Sequence, residues 1–235
     1  MWTIYSTTVW RPKELNLHRR WSIFLKTSLP YIIQILGSSF DGNICEIGAG
    51  MGHKFQHLSD AFPYAKMTGI EPSVHMRDKA LERGIKLEYG TLDTTGLPSA
   101  SQDVICLFQM WHHIAPSQYR RCIDELKRII RPDGKIILLD TFAPEWDHSS
   151  IKSTIFGVAN RFYAVLSQYP VASLRTRFLH AVISICNSGK YPPENFGYFS
   201  PHISEIQRAF WEVWFLPSNH ISYGISQMFV FWNKS

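Results

Sequence analysis

The sequence predicts an α/β fold, a doubly wound and mostly parallel sheet with helices on both faces. Two observations predict it. From Asn43 onward, short apolar runs alternate with helical segments at the spacing of strand–helix–strand crossovers. A glycine-rich loop, Gly48-Ala49-Gly50-Met51-Gly52, then falls between the first apolar run and the helical segment after it. Composition agrees: 45% hydrophobic and 18% charged residues over 235 positions suit one globular domain with insertions.

Residues 12–36 read as two short helices broken near Pro30. The first opens at Pro12 and Gly37 stops the second. The alternating region gives strands at Ile44–Ile47, Lys66–Ile70, Ile85–Tyr89, Val104–Phe108 and Lys135–Leu139. Helices lie between them at Lys54–Phe62, Val74–Arg83 and Pro116–Ile130. In Arg131-Pro132-Asp133-Gly134, proline stops a helix and glycine turns the chain into the next strand. The alternation then lapses for about sixty residues, with helical stretches near Ile151–Ser167 and Val171–Asn187 and an aromatic, proline-rich run from Tyr191 to Phe199. It resumes with a helix near His202–Ala209 and strands Glu212–Leu216 and Ile225–Trp232, which are expected to pair as a hairpin at the sheet edge. Seven strands are expected in all. The organisation is an N-terminal helical cap (1–41), a core (42–141), a cap insertion (142–200) and a return to the core sheet (201–235).

Aromatic residues reach 14%, with 8 Trp, which points to an enclosed apolar site besides the core. Cys45, Cys106, Cys122 and Cys186 have no metal-ligand spacing and read as free core thiols of a reducing compartment. The first residues lack the charged and apolar regions of a signal peptide, and no apolar run is long enough to span a membrane. A cytoplasmic protein is expected, either whole or as one module of a longer polypeptide. Net charge is +5. Between His148 and Pro193 there is no acidic residue, while Lys152, Arg161, Arg175, Arg177 and Lys190 lie there. That stretch is a solvated basic face, a funnel for an anionic substrate, or, third, a nucleic-acid surface.

The chemistry begins at the glycine loop. A dinucleotide site in the G-x-G-x-x-G pattern would place its third glycine at position 53, which is His53; the third glycine comes one residue early. The spacing therefore disfavours a pyrophosphate and suits a nucleoside with an amino-acid tail. Glu46, near the strand's carboxyl end, can face an ammonium. Glu71, directly after the second strand, is placed to accept hydrogen bonds from both hydroxyls of a ribose.

With these residues in view, the chain resembles the class I (Rossmann-like) S-adenosylmethionine-dependent methyltransferase family. The resemblance rests on Glu46 to His53, Gly69-Ile70-Glu71-Pro72-Ser73, Asp103-Val104-Ile105, His112-His113-Ile114 and Leu126 to Lys135, and covers roughly residues 42–141. It implies S-adenosylmethionine as cofactor and S-adenosylhomocysteine as product. Glu46, Gly48, Ala49, Gly50 and Gly52 would hold the methionyl part, Glu71 and Pro72 the ribose, and the loop after Tyr89 the adenine. The family often has Gly-Asp after the third strand. Here Gly90 is followed by Thr91-Leu92-Asp93, so that place falls to Asp93, or to Thr91 and backbone. N-terminal helices commonly close the pocket, and Arg20 would pair with the methionyl carboxylate, unless that helix is simply a solvated basic one. No metal is expected.

The acceptor is expected at Gln109-Met110-Trp111-His112-His113, where the family's usual Leu-His-His is Trp-His-His. Gln109 also borders the cofactor. The Gln109 amide and the Trp111 indole N–H could hold a carboxylate, an arrangement locally similar to small-molecule carboxyl methyltransferases; Trp111 could equally be a packing aromatic. His112 is the candidate base for a hydroxyl acceptor, with His113 beside the substrate, or the pair packs structurally. The leading expectation is O-methylation of a carboxylate on an apolar small molecule or modified peptide. Hydroxyl or amine methylation with His112 as base comes second, and an RNA acceptor is disfavoured by the absence of a basic recognition module.

Overall fold

The computed structural model describes residues 28–141, 208–210, 215–223 and 226–233. Its elements in chain order are α1 (Leu29–Leu36), β1 (Asn43–Ile47), α2 (His53–Ala61), β2 (Lys66–Ile70), α3 (Val74–Leu81), β3 (Gln102–Phe108), α4 (Tyr119–Ile129), β4 (Ile130–Thr141), β5 (Phe215–Tyr223) and β6 (Ser226–Asn233). The sheet order is β2-β1-β3-β4-β6-β5. The first four strands run parallel, and β6 lies antiparallel between β4 and β5.

The strands are near-continuous apolar runs because both sheet faces are covered. Along β1, β3 and β4, Cys45, Ile47, Ile105, Leu107, Ile136 and Leu138 pack against the apolar face of α4. The alternate residues Ile44, Val104, Cys106, Phe108, Ile137 and Leu139 pack with α1 and with Leu58 and Phe62. Helices on opposite faces make the sheet doubly wound, as expected. The order reverses between β1 and β3, which opens a crevice at their carboxyl ends.

Pro30 sits in the first turn of α1, where its missing N–H costs no hydrogen bond, and Gly37 caps the helix as expected; the helix expected before it lies outside the described residues. Three local expectations are corrected. The run Ile85–Tyr89 forms no full strand. It contributes one parallel bridge, Glu88 to Ile70, before the chain turns away at Thr91–Thr94. The sheet therefore has six strands among the described residues, plus that bridge, rather than seven. In the Arg131–Gly134 turn the left-handed residue is Asp133 (φ 61°), not the glycine. Gly134 is needed for space, since a Cβ there would lie 2.5 Å from Ile130 Cγ1. The first strand of the last hairpin runs on to Tyr223 rather than ending at Leu216, and its second strand is internal, leaving β5 at the edge.

Asp103 supports the opposite, amino-terminal edge. Its carboxylate accepts the Asn43 N–H (2.8 Å) and both contacts of the Arg131 guanidinium (2.9 and 2.7 Å). Cys45, Cys106 and Cys122 are buried and free, and burial pushes each thiol up, Cys122 to about 12, so none is a ready nucleophile. Among the described residues, no helix is long and apolar enough to cross a membrane. Apart from α1, the predicted caps at 1–41 and 142–200 fall outside the described residues, and so does Arg20.

Candidate functional site at the carboxyl edge of the sheet

The crevice is built where β1, β2, β3 and β4 end together. Register aligns Ile47 with Ile70 and with Leu107, and Phe108 with Leu139. Each strand's next residues therefore enter one space.

The glycine loop is pinned to β2. The N–H groups of Gly48 and Ala49 both donate to the Ile70 carbonyl, at 2.8 and 3.0 Å. Gly48 has φ 75°, and a Cβ there would lie 2.8 Å from Met110 Cβ, so the loop packs directly on the turn that follows β3. Gly50 is different: its φ is 58°, and a Cβ would meet nothing within 4 Å. Gly48 is glycine for packing, whereas Gly50 leaves open space on the ligand side. Gly52 opens α2 and lies against Ile85.

Two buried carboxylates face this space. Glu71 accepts the Gly50 N–H at one oxygen (2.7 Å) and the Ser73 N–H at the other (2.9 Å). Burial raises its pKa, and those two bonds and Arg77 pull it back. Each carboxylate oxygen has a second lone pair, so Glu71 can still accept ribose hydroxyls. Pro72 is half-buried beside it, and Arg77 donates to the carbonyls of both residues (2.6 and 3.0 Å) while stacking over the Tyr89 ring. Glu46 is 1% exposed, and its Oε2 has no hydrogen-bond partner. Burial pushes it to about 8, with Lys54 pulling down and Glu71 adding to the rise. A buried carboxylate oxygen without a partner is costly, and a cationic ligand group would satisfy it.

The loop after Tyr89 forms a tight turn. Thr91 and Thr94 exchange backbone hydrogen bonds, and the Thr91 hydroxyl donates to Asp93 Oδ1 (2.7 Å). Thr91 and Asp93, the two residues expected to face the adenine, are therefore joined in one turn. The Leu92 side chain is turned into the core, 3% exposed, which leaves only its backbone for a ligand.

On the other side of the crevice, Gln109 is exposed, with φ 54°, and its N–H donates to the Leu139 carbonyl (2.7 Å). A left-handed non-glycine at a strand's carboxyl end is strain of the kind that clusters at functional sites. Trp111 is 0% exposed, with its ring between those of Tyr119 (5.2 Å) and Phe210 (5.4 Å). Of the readings the sequence allowed, this geometry is that of the packing aromatic, although its Nε1 finds no acceptor.

His112 Nδ1 lies 2.6 Å from Oδ1 of Asp140, at the end of β4, and the backbone N–H of His112 donates to Oδ2 (3.1 Å). Asp140 is wholly buried. Its carboxylate therefore fixes the ring, holding the proton on Nδ1 and making Nε2 the basic nitrogen. The His113 ring stands 4.2 Å from that of His112.

Two site residues escaped the sequence reading, Lys54 and Asp140. Lys54 stands one residue past the motif, and Asp140 lies 28 residues from its partner His112. An acidic residue ending the strand next to the His-His loop was the signal available for Asp140.

An acidic, glycine-lined crevice at a topological switch point has the chemistry to accept a nucleoside with a cationic tail. Comparison with known proteins carries this further. Residues 45–138 match the family described as "Methyltransferase domain". YcgJ of Bacillus subtilis, described as an uncharacterized methyltransferase, is 27% identical over 142 residues, covering 57% of this chain and 54% of that protein. Two solved structures share the fold. A SAM dependent methyltransferase from Aquifex aeolicus superposes with a TM-score of 0.59 at 14% identity, covering 90% of this chain and 93% of the other. The geranyl diphosphate C-methyltransferase of Streptomyces coelicolor, solved with Mg2+, geranyl diphosphate and S-adenosyl-L-homocysteine, gives 0.61 at 10% identity, covering 90% and 79%. The chain spans about half the length of the curated relatives it matches. Residues 45–138 are thus similar to methyltransferase domains, and the fold is one shared with solved S-adenosylmethionine-dependent methyltransferases. The residues fit S-adenosylmethionine: Glu46 would accept from its ammonium, Glu71 would meet the ribose, and Gly50 leaves room between them.

Proposed function

We propose that this chain methylates a hydroxyl or amine of a small molecule, with His112 as general base and Asp140 as its orienting partner. The observation that carries the reading is the 2.6 Å contact between His112 Nδ1 and Asp140, reinforced by the bond from the His112 N–H to the same carboxylate. The cofactor supplies an electrophilic methyl on a sulfonium, whose thioether leaves without needing a proton. What the protein must provide is alignment and a place for the acceptor's proton. His112 Nε2 takes that proton as the acceptor oxygen or nitrogen bonds to the methyl, and Asp140 stays ionised and stabilises the imidazolium.

Replacement of His112 by Ala tests this. Turnover on a hydroxyl or amine acceptor should fall by a factor on the order of 10²–10⁴ with S-adenosylhomocysteine affinity retained. Unchanged turnover would remove His112 from the mechanism.

The second reading is O-methylation of a carboxylate on an apolar small molecule or modified peptide, and one observation favours it. The Trp111 indole N–H is buried without an acceptor, close to exposed Gln109 in sequence. A carboxylate is already ionised at neutral pH and needs no base, so that reading leaves the His112–Asp140 contact without a chemical role. In both readings the acceptor is a small molecule or peptide, which an anion-attracting segment at 148–193 would help to recruit.

A further inference from the structure

We infer that Lys54 recognises the carboxylate of the cofactor's methionyl tail, opposite Glu46, which takes the ammonium; this rests on the methyltransferase reading above. Lys54 is the second residue of α2, two residues past the glycine loop, and its Nζ donates to the Phe108 carbonyl at 3.2 Å. Glu46 pairs in register with Cys106, and Phe108 lies two residues further toward the carboxyl edge. The Glu46 side chain and the Lys54 ammonium therefore stand near one another at the carboxyl edge of β1 and β3, close enough for Lys54 to act on Glu46. Between two opposite charges so placed, an α-amino acid head fits in one orientation only, ammonium toward Glu46 and carboxylate toward Lys54.

Charge gives the same answer. With Glu46 and Glu71 as its buried charges, the site would accept any cationic tail. Lys54 acts on Glu46 strongly enough to oppose its desolvation. An ammonium at that place repels a tail that keeps its amine but has lost its carboxylate. Arg77 donates to the carbonyls of Glu71 and Pro72, and Arg83 to the Met51 carbonyl from an exposed position.

The test is calorimetric binding of S-adenosylhomocysteine and of its decarboxylated analogue to the full chain, so no turnover is needed. The wild type should prefer the intact ligand by roughly tenfold to a hundredfold, the range of a charge-assisted hydrogen bond. Lys54→Met should lose most of that preference through weaker binding of the intact ligand alone, and Lys54→Arg should restore part of it. Apo unfolding temperatures close to wild type would show that the variants fold, and Lys54→Gln serves in place of a methionine variant that does not. A folded variant without the lysine that keeps the full preference overturns the inference. A wild type that binds neither ligand overturns the methyltransferase reading itself, which is a different outcome.

Discussion

Asp140, at the buried end of β4, holds both the ring and the backbone of His112, so the acceptor side of the crevice is fixed by a strand rather than by its own loop. The two oxygens do different work. Oδ2 accepts the N–H that begins the short turn Trp111–His113, and Oδ1 sets the imidazole's tautomer. Asp140→Asn preserves shape and the backbone bond but removes the charge. Turnover should fall by a factor on the order of 10² with little change in cofactor affinity, measured as kcat against S-adenosylhomocysteine Kd.

Glu46 makes cofactor binding pH-dependent. Its pKa is raised to about 8 in the empty site, chiefly by burial, and only the ionised form pairs with an ammonium. Affinity should therefore strengthen from pH 6 to pH 8 as a proton is released on binding, and Glu46→Gln should flatten the profile and weaken binding. The stability effect has the opposite sign. A carboxyl whose folded pKa is raised destabilises the fold as pH rises above the ordinary carboxylate range, an effect complete above about 8. Apo Glu46→Gln should consequently be more stable than wild type at pH 8, by on the order of 1–3 kcal/mol, in thermal unfolding with and without ligand.

Gly48 and Gly50 separate packing from binding. Alanine at either meets a positive φ, which costs about 1 kcal/mol. At Gly48 it also collides with Met110, so that variant should lose stability and shift the acceptor turn. At Gly50 no protein atom stands in the way, so Gly50→Ala should melt near wild type yet bind S-adenosylhomocysteine at least tenfold more weakly, the cost of about 1.4 kcal/mol. Melting and calorimetry on the two variants side by side distinguish them.

Glu125 ties the loop after the adenine-side turn to α4. It accepts the Arg128 guanidinium (2.7 Å) together with the N–H and hydroxyl of buried Thr95. Arg128 foremost, then Thr95, hold its pKa down to about 2 against the effect of burial. The contribution is present above the ordinary carboxylate range and is lost as pH falls toward about 2. Glu125→Gln should therefore destabilise by about 1 kcal/mol at pH 7, and the difference from wild type should shrink in acid melts.

Periodicity and punctuation carried most of the core. The run Val104–Phe108 is apolar because both faces of a parallel sheet are buried, and that pattern is local. Glu46, Glu71, Gly48 and Gly50 could be placed at the crevice for the same reason, since each lies within a few residues of a strand's carboxyl end. The segment Ile85–Tyr89 has strand composition but leaves the sheet after one bridge, an outcome set by the turn beyond it. The His112–Asp140 and Lys54–Phe108 contacts join residues 28 and 54 positions apart, and nothing in either local pattern announces the partner. Trp111 looked like a donor from its place in the loop, but its packing against Tyr119 and Phe210 depends on elements far along the chain.

The central claim, base-assisted methylation of a hydroxyl or amine, is tested most directly by the fate of a labelled methyl group. The full chain, supplied with methyl-labelled S-adenosylmethionine and a panel of small-molecule alcohols, phenols, amines and acids, should transfer label into products that survive mild alkali. Label released by alkali as methanol, from the acids alone and at equal rates in wild type and His112→Ala, would contradict the account.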